Sequence, residues 1–304
     1  MRLRQYTFWC GCYHNLRMKT YFACSDIHGF YDEFIASLSK ADFQIENPDH
    51  ILIVCGDIFD RGEKPLEVLR FFKELPRERR YLVRGNHELL LRSLIHRKRP
   101  LEFDYPNGTF QTLFQMSPEY YSVLSAWLEE HPRPHSLIGS IEWEIEYAAF
   151  EEKNGANIYD SQTAKDFLDW LASDEWVNYL ELGRYVFVHS AVPKTDIYDQ
   201  SWRERTNKQW EEAMWKNPWK FYRDGYWKLE EQQGKVLVCG HWHTSDFYNN
   251  LLYLHEKEKR LDIHKSNPIF QSDLCPGLIG LDACTVLTHT VNVLVLNEKE
   301  LGFE

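Results

Sequence analysis

Short apolar runs alternate with amphipathic stretches along much of this chain. Runs of β-branched and other apolar residues predict five strands, at Thr20–Cys24, Ile51–Cys55, Tyr81–Val83, Tyr185–Val188 and Val236–Cys239. Two further strands are predicted near the C-terminus, at Leu278–Leu281 and Val291–Leu296. Asp32–Lys40 and Leu66–Leu75 carry apolar residues at helical spacing. Alternating strands and helices predict a layered α/β fold.

The pattern changes to longer helical stretches between about residue 89 and residue 183. Tyr120–Leu128 and Ala164–Leu171 have helical spacing, and Pro106-Asn107-Gly108 is a turn signal. We expect a helical insertion that forms one wall of a cleft. We expect residues 18–300 to form a single domain, and residues 1–17 to be either an N-terminal extension or an artefact of the assigned start.

A second concentration of aromatic residues follows the fourth apolar run. Its members are Trp202, Trp210, Trp215, Trp219, Tyr222, Tyr226 and Trp227. Aromatic side chains dominate burial in protein cores, so we expect most of these rings to pack in the core or in a wall. The remaining rings are available to line a substrate groove.

Composition and charge limit the classes of partner. The chain of 304 residues is 43% hydrophobic and 15% aromatic, which is typical of a packed globular protein. No stretch is apolar enough to predict a membrane-spanning helix, and residues 1–17 have no apolar core of secretory length. The formal charge of −11 argues against nucleic acid, and the basic run at Arg77–Arg80 is expected to be mostly a solvated helix end. The seven cysteines lack disulfide-like spacing, so we expect a cytoplasmic protein.

Five polar signatures stand where the first five predicted strands end. They are Asp26-Ile27-His28-Gly29, Gly56-Asp57-Ile58-Phe59-Asp60-Arg61-Gly62, Gly85-Asn86-His87-Glu88, Val188-His189 and Gly240-His241-Trp242-His243. Loops that leave the carboxyl ends of strands in an open α/β sheet converge on one crevice. We therefore expect these signatures to meet in space.

The signatures supply carboxylate, amide and imidazole ligands, which suit hard and borderline divalent cations. The candidate ligands are Asp26, His28, Asp57, Asn86, His189, His241 and His243. Singly, an Asp at a strand end is more often a helix cap, and a His is more often a buried core imidazole. Together, so many polar groups would be costly to bury unless something bound them. Two cations about 3.5–4 Å apart can clamp an in-line displacement at phosphorus, so the sequence predicts a two-metal hydrolase.

From Met18 to about Leu296, these motifs resemble the calcineurin-like metallophosphoesterases, and more narrowly the phosphoprotein phosphatase branch that includes small bacterial and phage enzymes. The resemblance implies a layered α-β-β-α sandwich. It assigns one metal to Asp26, His28, Asp57 and His243, and the other to Asp57, Asn86, His189 and His241. Two Mn²⁺ ions are expected, with iron or zinc as alternatives, and a hydroxide that bridges the metals would be the nucleophile.

The same resemblance makes His87 the general acid, oriented by Asp60. Arg61 and Asn86 would contact the substrate phosphate. Arg84 is a second phosphate-binding candidate, with a structural ion pair as the equal alternative. The family also tends to place a phosphate-binding arginine between the fourth and fifth motifs, and the sequence leaves the choice among three residues open: Arg203, Arg205 and Arg223.

The resemblance leads to a phosphomonoesterase as the main hypothesis, acting on phosphoserine or phosphothreonine in proteins. The alternative is a hydrolase of dinucleoside polyphosphates or nucleotides, because the symmetrical diadenosine tetraphosphatases resemble the same motif set and aromatic walls can stack a base. A third hypothesis is a non-catalytic metal-binding scaffold. The expected partner is a phosphoprotein or a small phosphoester. The sequence leaves the oligomeric state open.

Overall fold

The computed structural model describes residues 18–132, 141–154, 158–194, 201–254, 261–265 and 267–302. The predicted N-terminal extension, residues 1–17, lies outside these ranges. The strands are β1 (Thr20–Cys24), β2 (His50–Cys55), β3 (Arg80–Val83), β4 (Trp176–Val177), β5 (Leu180–Leu182), β6 (Tyr185–Phe187), β7 (Val236–Cys239), β8 (Leu278–Gly280) and β9 (Leu294–Asn297).

The described strands form two sheets. The first has the order β4-β3-β2-β1-β9, in which β1 to β4 are parallel and β9 runs antiparallel to β1. The second has the order β5-β6-β7-β8, in which β5 is antiparallel to β6 and the remaining pairs are parallel. The strands that carry the first three signatures therefore lie in one sheet, and those that carry the last two lie in the other.

Helices cover both sheets. They are α1 (Tyr31–Lys40), α2 (Pro65–Glu74), α3 (Asn86–Arg97), α4 (Asp104–Asn107), α5 (Thr109–Met116), α6 (Pro118–Glu130), α7 (Ile141–Asn154), α8 (Gln162–Ala172), α9 (Asn207–Ala213), α10 (Pro218–Arg223), α11 (Lys228–Gln232), α12 (Thr244–Leu254), α13 (Thr285–Thr288) and α14 (Glu298–Leu301). None of the helices in the described part of the chain is long and apolar enough to cross a membrane.

Alternate residues of each strand enter different cores, as the two-residue period of a strand requires. Tyr21 and Ile53 of the first sheet share a core with Phe187 and Val238 of the second, so the two sheets pack face to face. Phe22, on the opposite face of β1, packs in a core shared with α1, α2, α3, α5 and α8. The architecture is an α-β-β-α sandwich, and the predicted fold class is confirmed.

The outer face of the second sheet is covered by a layer rich in aromatic residues. Its core contains four of the predicted aromatic residues: Trp202, Trp210, Trp219 and Trp227. Trp215 and Tyr226 remain exposed. The prediction that most rings of this run pack in the core or a wall is therefore supported, with Trp215 as an exception that bears on the site.

Three sequence-based expectations need correction. The expected insertion at residues 89–183 is helical only to Ala172. After that residue, β4 is a strand of the first sheet and β5 is a strand of the second. The last strand begins at Leu294 instead of Val291. The Val291 N–H donates to Ser37 Oγ at 3.2 Å and so makes a side-chain contact in place of a strand hydrogen bond. In the basic run, Arg79 is buried and its Nε donates to the His50 carbonyl at 3.0 Å, so this arginine is a structural residue and not a solvated one.

Candidate active site

The strand ends bring the five signatures together at one edge of the sandwich. Backbone hydrogen bonds join them: the Asp26 N–H donates to the Gly56 carbonyl at 3.1 Å, and the His28 N–H donates to the Asp57 carbonyl at 3.0 Å. In the second sheet, the Gly240 N–H donates to the His189 carbonyl at 2.8 Å. The His241 N–H donates to Asp26 Oδ2 at 3.0 Å and so links the two sheets.

The backbone turns sharply at several of these residues. Asp26, His28, Asp57 and His241 have φ of 53°, 51°, 54° and 64°. This left-handed region is uncommon for residues other than glycine and is visited mostly by Asn, Asp and His. Asp26 and His28 are therefore neighbours because the loop after β1 turns. Left-handed residues cost about 1–3 kcal/mol each and cluster at functional sites.

One group of candidate ligands lies around Asp57 Oδ2. His28 Nε2 is 3.8 Å from Asp57 Oδ2 and 3.9 Å from Asp26 Oδ1. His87 Nε2 is 3.9 Å from Asp57 Oδ2. Ligand atoms of His28, Asp57 and His87 all lie within 4.8 Å of one another, close enough for one cation to contact several of them.

A second group lies around Asp57 Oδ1. His189 Nε2 is 3.4 Å from this oxygen, 2.7 Å from Asn86 Oδ1 and 3.2 Å from His241 Nδ1. Ligand atoms of Asp57, His189 and His241 also lie within 4.8 Å of one another. Asp57 therefore turns one oxygen toward each group, which is the arrangement that a carboxylate shared by two cations requires.

The outer nitrogens of two of these rings are held by backbone carbonyls. His28 Nδ1 is 3.0 Å from the Phe59 carbonyl, and His189 Nδ1 is 2.8 Å from the Cys55 carbonyl. A carbonyl oxygen can accept a hydrogen bond but cannot donate one, so Nδ1 of each ring carries the proton. Nε2 therefore presents its lone pair to the site. Metal-binding histidines are commonly oriented in this way.

Burial controls the ionisation of the site. It lowers the pKa of His28, His87 and His189 well below the usual value, and it lowers the pKa of His241 to about 3. Burial also raises the pKa of Asp26 and Asp57 well above the usual range. Neutral imidazoles are the form that binds metal, and buried carboxylates need a compensating positive charge. The donor set therefore fits divalent cations.

His87 is held by a chain of polar contacts. Its Nδ1 lies 2.7 Å from Asp60 Oδ2, which also accepts a hydrogen bond from Thr109 Oγ1 at 2.8 Å. Arg61 lies beside both His28 and His87, because its guanidinium nitrogens are 2.9 Å from His28 Nε2 and 3.0 Å from His87 Nε2. The structure thus brings together the predicted acid, its orienting carboxylate and the predicted phosphate clamp.

His243 lines the same cavity, although it is not among the residues whose ligand atoms all lie within 4.8 Å of one another in either group. Its Nε2 lies 3.9 Å from Asp282 Oδ2, and its side chain is 27% exposed. Asp282, just after β8, was absent from the predicted ligands, although it follows an apolar run as the other signatures do. Its carboxylate charge contributes to the raised pKa of Asp26, and its Oδ1 accepts the Cys284 N–H at 2.7 Å. Asp282 is therefore part of the site's charge.

The other predicted arginines lie outside the cavity lining. Arg84 donates to Asn178 Oδ1 at 3.3 Å and to the Leu171 carbonyl at 3.4 Å, so it fixes the end of the insertion. Arg203 is held by Glu181, at 3.0 Å, and by Glu230. Arg223 pairs with its neighbour Asp224, and Arg205 is likewise not among the lining residues. Arg61 is the arginine that the described structure places in the cavity.

The cavity that these residues surround has a volume of about 150 Å³. Its lining combines the two ligand groups with residues from the insertion, the tryptophan-rich run and the C-terminal loops: Asp26, His28, Asp57, Arg61, Asn86, His87, Asn107, Trp215, His241, His243, Asp282, Cys284, Thr285 and Val286. The strand-end motifs did not predict the members that lie outside the five signatures, because loop positions depend on tertiary packing.

Glu88 organises the site from beneath. Its buried carboxylate accepts three backbone N–H groups, from Asp57 at 3.0 Å, Ile58 at 2.9 Å and Gly85 at 2.8 Å. The same loops approach so closely that a Cβ on Gly85 would overlap Asp57 Oδ1. Glu88 therefore fixes the loop that carries the shared carboxylate, a role that its place in the third signature did not reveal.

We expect Glu88→Gln to lower the free energy of unfolding by about 2–3 kcal/mol. The amide NH₂ cannot accept, so at least one buried N–H loses its partner, which costs about 1–3 kcal/mol. Urea denaturation measures the change. The matched control is Glu102→Gln, because Glu102 is exposed and should change stability by less than about 0.5 kcal/mol. Equal stability of the Glu88 variant and wild type would contradict the assigned role.

Residues 19–245 match the family model described as calcineurin-like phosphoesterase. A symmetrical bis(5'-nucleosyl)-tetraphosphatase of Klebsiella pneumoniae (strain 342) is 30% identical over 192 residues, which cover 58% of this chain and 64% of that protein. The asymmetrical bis(5'-nucleosyl)-tetraphosphatase PrpE of Bacillus velezensis is 40% identical over 70 residues, or 21% of this chain and 28% of that protein. The chain thus spans just under two thirds of the length of the first of these relatives.

Among solved structures, the cold-active protein tyrosine phosphatase of a psychrophilic Shewanella species is similar, with a TM-score of 0.45 and 15% sequence identity. The similarity covers 92% of this chain and 76% of that one.

Proposed function

Since the chain belongs to the calcineurin-like phosphoesterase family, we propose that it is a two-metal hydrolase that cleaves the polyphosphate bridge of dinucleoside tetraphosphates. Members of this family use divalent metal ions. The observation that carries the proposal is the position of Asp57, whose two oxygens each face one group of buried ligand-type side chains. A single-metal or purely structural site has no need of such a shared carboxylate.

Asp26, His28 and Asp57 would hold one cation, and Asp57, Asn86, His189 and His241 would hold the other. Asp282 and His243, which lie 3.9 Å apart, stand beside the first group, where Asp282 supplies a further carboxylate and His243 a further imidazole. Bound there, two divalent cations would neutralise phosphate charge and lower the pKa of water. We propose Mn²⁺, because oxygen-rich sites with imidazole suit it.

His87 would act as general acid toward the leaving oxygen once the negative charge of the bound phosphate favours its protonated form. This contribution is larger for an alkoxide leaving group than for the phosphate of a nucleotide. Asp60 fixes the His87 ring through the 2.7 Å contact with Nδ1, so that Nε2 faces the cavity. Arg61 contacts Nε2 of His28 and His87, and its fork-like guanidinium can bind non-bridging oxygens of a phosphate. Asn86, which also lines the cavity, would supply an amide to the same phosphate.

The choice of substrate rests mainly on the curated relatives. Among them, the symmetrical enzyme of Klebsiella pneumoniae aligns over 192 residues, whereas the phosphoprotein substrate, predicted first from the sequence, rests on the resemblance of the motifs. These findings favour the alternative hypothesis. We therefore propose that hydrolysis at the centre of diadenosine tetraphosphate yields two molecules of ADP.

A second cavity supports a substrate that extends beyond one phosphate. It has a volume of about 280 Å³ and shares Arg61 with the first cavity. Its lining combines the aromatic rings of Phe30 and Tyr31 with Lys64, which pairs with Asp32, and with the acidic side chains of Glu33 and Glu63. Its aromatic groups therefore lie within reach of Arg61, while its charges are of both signs. A small phosphomonoester would leave this second space unused, whereas a dinucleotide or a phosphopeptide would extend into it, so the choice between these two rests on the relatives and not on the cavity.

Parallel assays on manganese-loaded protein separate the candidate functions. We expect kcat/KM for diadenosine tetraphosphate to exceed that for a phosphoserine peptide by more than tenfold, or about 1.4 kcal/mol in transition-state binding. Chromatography should show ADP as the nucleotide product. A tenfold preference for the peptide would overturn the proposal in favour of a protein phosphatase. No turnover of either substrate would favour the non-catalytic scaffold.

A further inference from the structure

One tryptophan of the tryptophan-rich run is not buried. Trp202, Trp210, Trp219 and Trp227 are at most 3% exposed, whereas Trp215 is 51% exposed. Burial of an aromatic side chain is strongly favourable, so a half-exposed indole beside a well-packed tryptophan core gives up a substantial contribution to stability. Such an exposed ring is informative when it faces a functional cavity.

Trp215 lines the cavity that holds the two ligand groups. Its ring centroid lies 6.2 Å from that of His241, with the two planes at 88°. The edge-to-face contact places the indole directly beside a candidate metal ligand of the second group. The exposed part of the ring is therefore next to the position where we place the reacting phosphates.

The loop that carries Trp215 is held on both sides. The Lys216 N–H donates to the Ala213 carbonyl at 3.1 Å, and Asn217 Oδ1 accepts the Lys220 N–H at 2.9 Å, which caps α10. Ser190, the residue after His189, donates its hydroxyl to the Lys216 carbonyl. The backbone that carries the indole is thus fixed relative to the ligand groups, and the ring itself contacts His241. An aromatic surface on a well-ordered loop binds a flat ring with little loss of conformational entropy.

We propose that Trp215 is the stacking platform for the purine base of the nucleotide whose phosphates occupy the site. This inference rests on the proposed function and adds the residue that selects nucleotides over simple polyphosphates. Stacking on an aromatic side chain needs only the π-face that every base has, and the two fused rings of a purine offer the larger face. Trp215 therefore acts on compounds that carry a base and is indifferent to compounds that carry only phosphate.

Trp242 is a matched comparison. It is 37% exposed, and its ring centroid lies 6.1 Å from that of His241, nearly the same separation as for Trp215. It is not among the residues that line the cavity. If exposure and proximity to His241 were sufficient, the two tryptophans would behave alike, whereas the proposal assigns base stacking to Trp215.

The test compares diadenosine tetraphosphate with inorganic tripolyphosphate, which carries phosphoanhydride bonds without a base. We expect Trp215→Leu to raise KM for the dinucleotide about tenfold and to leave kcat within about twofold of wild type. The affinity for tripolyphosphate, measured as substrate or as inhibitor, should also stay within about twofold of wild type. Trp215→Phe should restore most of the affinity, because phenylalanine retains a π-face. Trp242→Leu should leave the dinucleotide KM unchanged.

Product inhibition of diadenosine tetraphosphate hydrolysis provides a second measurement. Trp215→Leu should weaken inhibition by ADP about tenfold and leave inhibition by pyrophosphate unchanged. Equal loss with both inhibitors would mean a structural role and would overturn the stacking assignment. If Trp215→Leu weakened inhibition by phenyl phosphate as much as it weakened inhibition by ADP, Trp215 would recognise any aromatic ring. This result would overturn the choice of a purine.

The proposed function and the role of Trp215 are contradicted by different results. Wild-type protein that does not hydrolyse diadenosine tetraphosphate contradicts the proposed function, whatever Trp215 does. If wild-type protein hydrolyses diadenosine tetraphosphate and the Trp215→Leu variant does so with the same KM, the stacking platform is contradicted and the proposed function remains in place.

Discussion

Asp57→Asn is expected to lower kcat/KM for diadenosine tetraphosphate by about 10³-fold or more. Asp57 Oδ1 faces His189 and Oδ2 faces His28, so the substitution removes the charged group that both ligand groups share. The amide is nearly isosteric, but it replaces one carboxylate oxygen by NH₂ and removes a full negative charge. A 10³-fold loss in kcat/KM corresponds to a loss of about 4 kcal/mol of transition-state stabilisation by the metals.

The fold should survive this change. Asp57 Oδ1 accepts the His87 N–H at 3.0 Å, and the amide oxygen of Asn can accept the same hydrogen bond. Circular dichroism and a urea titration check the folded state. Asp273→Asn is the control, because Asp273 is exposed and the same change of charge there should leave activity within about twofold. Activity of the Asp57 variant close to that of wild type would contradict the shared-carboxylate assignment.

His87→Ala is expected to lower kcat by about 10²–10⁴-fold on a substrate with a poor leaving group, such as a phosphoserine peptide or an alkyl phosphate. General acid catalysis matters less for a good leaving group, so the loss on p-nitrophenyl phosphate should be much smaller. The Asp60 contact at 2.7 Å holds the imidazole in place, and the alanine variant removes this proton donor.

His87 also lies within 4.8 Å of ligand atoms of His28 and Asp57, so an alternative role as a ligand has to be tested. The acid assignment predicts that His87→Ala retains the wild-type metal content. A ligand would lose metal and would lose activity equally on good and poor leaving groups. His264→Ala is the control, because His264 is exposed and should leave both quantities unchanged.

Much of the fold followed from simple patterns. The predicted strand Thr20–Cys24 and the predicted strand Val236–Cys239 have the same bounds in the structure. Both are short, mainly apolar runs that follow a lysine and end at a small residue, and both lie inside their sheets, where burial on two faces requires such runs. The polar residues that follow them face the crevice at the strand ends, so the positions of the candidate ligands could also be predicted.

Other features depend on contacts that no local pattern contains. β4 consists of Trp176–Val177 alone and exists because it pairs with β3. The division of the strands between two sheets is likewise a tertiary property. Asp282 and Trp215 enter the site from loops whose positions depend on packing, and no local sequence pattern predicts the left-handed turn at Asp26.

The most direct test of the account is the number of manganese ions that the protein binds. Equilibrium dialysis of chelator-stripped protein against Mn²⁺, with metal measured by atomic spectroscopy, should give two ions per wild-type chain. The Asp57→Asn variant should bind both ions more weakly, by about 10-fold or more, because each group loses the same carboxylate. Fewer than two ions in the wild type, or two ions bound with unchanged affinity in the variant, would contradict the two-metal centre.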